Sequence, residues 1–359
     1  MSTEPGYGVL FPASVVGSMP RSPRVRDLIS GDAGVSAAEY EEQMGSEIRD
    51  VVAVQERAGL DIITDGEWWR KSYIGVIAEL AHGFELGANP ADGRPWTIVV
   101  DRLAPKHTGF IAKEVTFLKS ISPKMIKATL PSPALLGERM WDPERSSKAY
   151  PVREDFVRAC VPILRLELER LQQAGATIIQ IDDPHLCLFV DHEVRGRHED
   201  PDAAATFAAD MTNELVDGIQ GLKLAVHLCR RAGARVRGEA QHHGSFEPIL
   251  GQLNSLNVHH LTMEFTAPGS GDTAILGALR EDFEIGLGCV DCTPGTIDSP
   301  ETIVERVELA LRHVEPERIT LNPDCGFAPG SAAEVSIDEV SEKLKNEVEA
   351  ARRLREQHG

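Results

Sequence analysis

The sequence predicts an α/β protein that folds as a (β/α)8 barrel, a TIM barrel, with a β-hairpin inserted between strands 2 and 3. Two observations predict this fold: short apolar runs alternate with amphipathic stretches, and the runs are apolar on both faces, as parallel strands covered by helices are. The eight strand candidates are Ser14–Gly17, Asp61–Thr64, Met125–Thr129, Thr177–Ile181, Lys223–His227, Leu261–Phe265, Glu284–Gly288 and Arg318–Leu321. A doubly wound sheet is the alternative, but no Gly-x-Gly-x-x-Gly turn follows the first run.

Amphipathic stretches between these runs predict the helices that cover the sheet. The predicted helices are Ser36–Ala58, Arg153–Ala174, Asp202–Gly218, Ser299–His313 and Ile337–Gln357. Ser299 followed by Pro300 is typical of an N-cap residue before a helix that begins with proline.

The segment between the second and third strands, about residues 66–124, is longer than one crossover helix requires. It contains Trp96–Asp101 and Phe110–Phe117, two alternating runs that predict an antiparallel hairpin laid over one end of the barrel. No linker or low-complexity segment divides the sequence, so we predict one domain over residues 1–359.

Composition and charge exclude several classes of protein. The chain has 359 residues, and 37 Lys and Arg residues against 56 Asp and Glu residues give a formal net charge of −19. Because so acidic a surface repels phosphate backbones, we expect no nucleic-acid partner. No apolar run reaches the ~20 residues that cross a bilayer, and no secretory signal pattern begins the sequence. Six cysteines do not suggest a disulfide scaffold, so we expect a cytoplasmic location without a membrane partner.

Metal-binding side chains are concentrated where the predicted strands end, which is where barrel enzymes carry their active sites. His227 and Cys229 are two residues apart on the fifth strand, so both point to the same face. Glu264 ends the sixth strand, and Cys325 follows the eighth. One imidazole, two thiolates and one carboxylate suit Zn²⁺ better than Mg²⁺ or Ca²⁺. The alternative is that each is a separate buried side chain.

Six motifs follow one another over nearly the whole chain, from Val15 to the last helix. They are Val16-Gly17-Ser18-Met19-Pro20-Arg21, Asp65-Gly66-Glu67, Ile179-Gln180-Ile181-Asp182-Asp183-Pro184, His227-x-Cys229, Glu264 and Asn322-Pro323-Asp324-Cys325-Gly326. In this order they resemble the catalytic barrel of cobalamin-independent methionine synthase. The large synthases carry an additional N-terminal barrel that this sequence does not show. The chain is therefore similar to the short members, which include methionine synthase core enzymes and epoxyalkane:coenzyme M transferases.

The resemblance implies a zinc-dependent methyl or alkyl transferase, in which a small homocysteine-like thiol binds zinc as a thiolate and attacks an alkyl donor. The zinc ligands that it implies are His227, Cys229, Glu264 and Cys325. The residues that it implies for the amino-acid part of the thiol are Ser18, Glu67 and Asp182. Two carboxylates around an ammonium also make chemical sense from the residues alone, although turn formation at strand ends is the alternative. Trp141 stands where the family stacks a pterin, or else it anchors a loop.

One stretch departs from the family pattern. After the seventh strand the methionine synthases carry a His beside an Asp, which is implicated in proton handling. This sequence retains Asp291 but has no His there, and Cys292 or Thr293 stands where the His would be. We predict Asp291 as a catalytic residue together with Glu67 and Asp182.

Basic side chains follow the metal-binding pair directly. Arg230, with Arg231, Arg235 and Arg237, is predicted to receive an anionic substrate tail such as a sulfonate or carboxylate, whereas a solvated loop is the alternative. The pair His259-His260 is predicted to lie at a helical or loop surface.

Three functions stay open at this level. The first is methyl transfer from a small-molecule or folate-type donor to a small thiol, and coenzyme M in place of homocysteine is its variant. The second is a lyase on the same metal barrel. The third is a non-catalytic zinc protein, because four protein ligands also permit a closed structural site. The sequence also leaves the oligomeric state open, and a homo-oligomer is possible.

Overall fold

The computed structural model describes residues 6–31, 33–88, 95–106, 109–230, 242–266, 269–328 and 335–359. Its central sheet has seven parallel strands: β1 (Ile62–Ile63), β4 (Met125–Pro131), β5 (Ile178–Asp182), β6 (Lys223–Leu228), β7 (His260–Glu264), β8 (Glu284–Val290) and β9 (Ile319–Pro323). The strands lie side by side in chain order, as the barrel prediction requires. The remaining two strands, β2 (Ala81–Ala88) and β3 (Pro95–Pro105), form a separate antiparallel hairpin.

The N-terminal segment bonds to both edges of this curled sheet. Ala13 forms a parallel bridge with Leu321 of β9, and the Ser14 amide donates to the Leu321 carbonyl at 2.9 Å. On the other side, the Ile62 amide of β1 donates to the Ala13 carbonyl at 3.2 Å. The predicted first strand, Ser14–Gly17, is therefore not a strand, and only a bridge at Ala13 precedes it, but this segment lies between the two edge strands, where a first strand would close the barrel.

Helices cover the outside of the sheet and precede or follow its strands. They are α1 (Pro23–Ser30), α2 (Ala37–Ala58), α3 (Ile77–Leu80), α4 (Ala112–Ile121), α5 (Pro133–Met140), α6 (Arg153–Ala174), α7 (Pro184–Leu188), α8 (His192–Arg195), α9 (Pro201–Val216), α10 (Leu250–Ser255), α11 (Pro300–Ala310) and α12 (Ile337–His358). The five predicted helices are confirmed to within a few residues, and Ser299 caps α11 by accepting a hydrogen bond from the Thr302 amide. No helix in the described ranges is both long enough and apolar enough to span a membrane.

The predicted hairpin was wrong in one of its two strands. Trp96–Asp101 lies in β3, but its partner is β2, whereas Phe110–Phe117 leads into α4. The physical reason is the spacing of the buried side chains: Ile111, Val115 and Leu118 recur at helical intervals and pack into the core. Over so few residues, the apolar positions on one face of a helix resemble the alternation of a strand.

The surface position predicted for His260 was also wrong. His260 lies on β7 and is 4% exposed, and its Nε2 atom is 2.9 Å from the Thr320 hydroxyl oxygen. Burial lowers the pKa of His260 well below its usual value, and the nearby cations Lys127 and Lys223 lower it further. His260 is therefore a neutral part of the polar interior between the strands. The neighbouring His259 accepts a hydrogen bond from the Leu224 amide through Nδ1.

A buried carboxyl group on α12 makes the fold sensitive to pH. Glu347 is 0% exposed, and its Oε1 atom accepts a hydrogen bond from the Ser14 amide at 3.0 Å. Burial raises the pKa of Glu347 to about 8, although the Ser14 amide and Lys127 counteract part of the shift. Since the unfolded chain releases this proton near pH 4.3, folding takes up a proton between these values, and the free energy of unfolding falls as the pH rises.

We therefore expect the free energy of unfolding to fall by up to about 1.4 kcal/mol per pH unit from this one group between pH 5 and pH 8. Glu347→Gln, which keeps an acceptor for Ser14, should make the pH dependence shallower. Urea unfolding at pH 6 and pH 8 measures the difference, with Glu342→Gln on the exposed side of α12 as the control. An equal loss of stability in the wild type and in Glu347→Gln would contradict this assignment.

Candidate metal centre and substrate site

The carboxyl ends of β6 and β9 bring one imidazole and two thiols together. His227 lies on β6, Cys229 follows that strand, and Cys325 follows β9. One ligand atom from each of the three residues lies within 4.8 Å of the others, and all three side chains are buried. The sulfur atoms of Cys229 and Cys325 are 3.7 Å apart. The sequence prediction that these three residues meet at the barrel mouth agrees with this geometry.

The His227 ring is held in one orientation by a carboxylate. Its Nδ1 atom lies 3.0 Å from Asp182 Oδ1, while its buried Nε2 atom has no hydrogen-bond partner among the described residues. A metal-ligating histidine typically has this arrangement, in which one ring nitrogen donates to a carboxylate and the other faces the ion. Asp182 Oδ1 also accepts a hydrogen bond from Gln180 Nε2 at 2.8 Å, so the carboxylate itself is fixed.

The electrostatic field at this cluster favours a cation. Burial opposes a positive charge on His227, but the Cys229 thiolate and Asp182 favour it, and the balance raises the pKa of His227 to about 10. The hydrogen bond with Cys229, together with burial, raises the pKa of the Cys325 thiol well above its usual value. Negative charge in this buried space contributes to both shifts, and a bound divalent cation would neutralise it.

Glu264, the fourth predicted ligand, lies beside the cluster rather than among its three closest atoms. It ends β7 and is 0% exposed, and its Oε2 atom accepts a hydrogen bond from the Arg230 amide at 2.6 Å. Its charge contributes to the raised pKa values of Asp324 and Cys325, which places it next to them. Glu264 as a ligand therefore stays a prediction.

Glu67 lies within electrostatic range of Asp182. The charge of Asp182 adds to the effect of burial in raising the pKa of Glu67, whereas Arg70 and Thr129 lower it. The Glu67 backbone has a positive φ of 60°, a conformation that is uncommon for residues other than glycine and is often found at functional sites. Gly17 makes room for this side chain, because a Cβ atom on Gly17 would lie 2.7 Å from Glu67 Oε1.

Ser18 lies against the loop that carries Cys325. A Cβ atom on Gly326 would lie 2.2 Å from the Ser18 hydroxyl oxygen, and the Phe327 amide donates to the Ser18 carbonyl at 2.9 Å. The glycine after Cys325 therefore permits close contact between the first and last segments of the barrel. Ser18 as a substrate-binding residue stays a prediction.

In the structure, Arg230 makes contacts that the sequence did not predict. Its guanidinium is buried and donates hydrogen bonds to the carbonyl oxygens of Gly244, Glu264 and Ser270, at 2.7 to 3.2 Å. The same group stacks on the Phe246 ring at 4.4 Å from its centroid. These contacts use four of its five N–H groups, so Arg230 supports the loops behind Glu264, and its role as a substrate-binding residue stays a prediction. Arg231, Arg235 and Arg237 lie outside the described residues.

Trp141 and Asp291 both make local contacts. The indole Nε1 of Trp141 donates to the Tyr150 carbonyl at 2.9 Å, so the ring anchors the chain after α5 and remains only partly buried. Asp291 Oδ1 accepts a hydrogen bond from the Thr293 amide at 2.8 Å, which forms a turn directly after β8. The charge of the intervening Cys292 contributes to the raised pKa of Cys325. The Cys292 thiol therefore lies within electrostatic range of the cluster, and Asp291 as a catalytic residue stays a prediction.

Tyr73 is a residue of this site that sequence reasoning missed. Burial raises the pKa of its hydroxyl, and the charges of Cys229, Asp182 and Cys325 raise it further, against the effect of Arg139. The Tyr73 hydroxyl therefore lies within electrostatic range of both thiols and of Asp182. No motif signals this, because Tyr73 belongs to the insertion and reaches the cluster only through the fold.

The fold and this cluster define a class: α/β-barrel proteins with an imidazole–thiol cluster at the carboxyl ends of the strands. The chain belongs to the family described as "Cobalamin-independent synthase, Catalytic domain", whose sequence profile matches residues 11–353. This membership confirms the family resemblance in the sequence and identifies the chain as an enzyme of that family.

Relatives and solved structures agree with this assignment. A protein of Pyrococcus horikoshii named methionine synthase is 26% identical over 328 residues, covering 89% of this chain and 86% of its own length. A methionine synthase of Saccharolobus islandicus is 27% identical over 327 residues, covering 89% of this chain and 88% of its own. The structure of a B12-independent methionine synthase from Shewanella sp. W3-18-1, in complex with selenomethionine, has a TM-score of 0.77 at 20% identity. It covers 97% of this chain and 99% of that one, which confirms the fold.

Proposed function

We propose that this enzyme is a zinc-dependent methyl or alkyl transferase whose acceptor is a small, homocysteine-like thiol. The observation that carries the proposal is the cluster of His227, Cys229 and Cys325, in which Asp182 holds Nδ1 of His227 and leaves the buried Nε2 without a hydrogen-bond partner among the described residues. Membership of the cobalamin-independent synthase family and relatives named methionine synthase support methyl transfer. All six cysteines lack disulfide partners, which suits the cytoplasm as the proposed location.

The donor set fits zinc. His227, Cys229 and Cys325 would hold the ion, with Glu264 as the fourth ligand, and this mixture of nitrogen, sulfur and oxygen is typical of Zn²⁺. Bound there, Zn²⁺ would act as a Lewis acid and lower the pKa of the acceptor thiol, so that this thiol would be a nucleophilic thiolate near neutral pH.

The residues of the chain would position the acceptor. Glu67 and Asp182 would orient its ammonium, with Ser18 at the carboxylate end, so that the sulfur lies at the cluster. When the C–S bond forms, the bond from the alkyl carbon to its carrier breaks, and the carrier takes the electron pair and then a proton. We propose Asp291 for this proton and Trp141 as the surface for a folate-type donor.

An amino-acid thiol is favoured over a sulfonate thiol such as coenzyme M. Two carboxylates, Glu67 and Asp182, lie together at the site and match an ammonium. The guanidinium predicted to match a sulfonate, that of Arg230, is occupied by backbone carbonyl groups. We therefore propose homocysteine as the acceptor.

Zinc X-ray absorption on the purified, zinc-loaded protein tests this proposal. We expect the number of sulfur neighbours around zinc to rise when homocysteine is added and to stay unchanged with coenzyme M. A rise only with coenzyme M would move the acceptor class to sulfonate thiols. An unchanged spectrum with both thiols would contradict the proposed acceptor and favour a closed structural site.

A further inference from the structure

A buried ion pair lies behind Glu67. Arg70 binds Glu114 of α4 through two bonds, from Nε to Oε1 at 2.9 Å and from Nη2 to Oε2 at 2.7 Å. The two side chains are only 1% and 3% exposed. Burying such a pair costs desolvation energy that its attraction barely offsets, so a pair of this kind is weak evidence for stability alone. Its position next to Glu67 suggests another role.

Thr129 on β4 connects this ion pair to Glu67. Arg70 Nη1 donates to the Thr129 hydroxyl oxygen at 2.8 Å, and that hydroxyl lies 2.7 Å from Glu67 Oε1. A guanidinium can only donate hydrogen bonds, so the threonine oxygen must act as the acceptor. The one hydroxyl proton is then directed at Glu67 Oε1, which must itself be an acceptor. The chain of bonds therefore favours the ionised form of Glu67.

Because Glu114 binds the guanidinium of Arg70, this guanidinium does not pair directly with the Glu67 carboxylate. Arg70 Nη1 is 4.0 Å from Glu67 Oε1, whereas Nη2 is 2.7 Å from Glu114 Oε2. In the described part of the chain, no hydrogen bond reaches the other oxygen, Glu67 Oε2. The positive charge of Arg70 thus stabilises the Glu67 carboxylate without a direct hydrogen bond. The Oε2 atom of Glu67 stays available for a ligand.

We propose that Arg70, Thr129 and Glu114 are positioning residues that hold Glu67 as a carboxylate and reserve its Oε2 atom for the ammonium of an α-amino thiol. This inference rests on the proposed function, and it extends it from the Glu67 carboxylate to the three side chains behind that carboxylate. The selectivity resides in the second carboxylate oxygen, which a thiol without an amino group cannot use.

Binding calorimetry on the zinc-loaded protein tests this with two probes: homocysteine and 4-mercaptobutyrate, which lacks the amino group. We expect Thr129→Val to weaken the binding of homocysteine about tenfold, because the Glu67 carboxylate loses the hydrogen bond from Thr129. The binding of 4-mercaptobutyrate should stay unchanged. Thr129→Ser keeps the hydroxyl and should bind both thiols as the wild type does. Zinc content should be equal in all three proteins.

Glu67→Gln separates failure of this inference from failure of the proposed function. If Glu67→Gln weakens homocysteine binding and Thr129→Val does not, the positioning role is overturned and the proposed function stands. If Glu67→Gln leaves homocysteine binding unchanged, the positioning role and the proposed function are both overturned. Should Thr129→Val not fold, Glu114→Gln replaces it: Arg70 would then be free to pair with Glu67, so homocysteine should bind more weakly, and unchanged binding would overturn the inference.

Discussion

Cys229→Ser and Cys325→Ser are each expected to lower bound zinc from about one ion per chain to a small fraction of that value. A serine hydroxyl does not ionise near neutral pH and is a harder ligand than a thiolate, so it binds Zn²⁺ poorly. The remaining two members of the cluster would leave the ion under-coordinated. Methyl transfer to homocysteine should fall in parallel with the zinc content.

Metal analysis of purified protein, with circular dichroism to verify folding, measures this effect. Cys160→Ser is the matched control, since Cys160 is also fully buried but lies on α6, where burial alone raises the pKa of its thiol. That variant should keep its zinc even if it loses stability. Full zinc retention in both Cys229→Ser and Cys325→Ser would show that the ion binds elsewhere or not at all.

The periodic part of the fold could be predicted from the sequence because each strand and helix carries its own pattern. Strands such as Thr177–Ile181 are apolar on both faces, and helices such as Arg153–Ala174 keep a continuous apolar stripe. The insertion could not be predicted as well. Phe110–Phe117 alternates over a short window and becomes helical only because Ile111, Val115 and Leu118 pack into the core together.

The site could be predicted as a set of residues but not as a set of contacts. Strand periodicity places His227 and Cys229 on one face, and the barrel rule brings Cys325 to them. Nothing in the sequence shows that Asp182 holds His227, because that bond joins two neighbouring strands through side chains. The same holds for Tyr73, which comes from the insertion, and for Arg230, whose partners are backbone carbonyl groups of distant loops.

The bond between Asp182 and His227 leads to the second large expected effect. Asp182→Asn should weaken zinc binding about 10–100-fold. A neutral amide orients the imidazole of His227 less firmly than a carboxylate does, and it makes that imidazole a less basic ligand. Gln180, which donates to the same carboxylate oxygen at 2.8 Å, cannot replace the lost charge. Zinc affinity is measured by competition with a chromophoric chelator at fixed pH.

Glu67→Gln is the matched variant, since it also changes a buried carboxylate near the cluster into an amide but contacts none of His227, Cys229 and Cys325 in the hydrogen bonds described. Its zinc affinity should stay near that of the wild type while homocysteine binding weakens by about 10–100-fold, as expected for loss of a charged hydrogen-bond partner. The two variants therefore separate two carboxylates that the sequence treats alike. If Asp182→Asn kept its zinc affinity and lost only homocysteine binding, Asp182 would serve the substrate alone, and its contact with His227 would be incidental to metal binding.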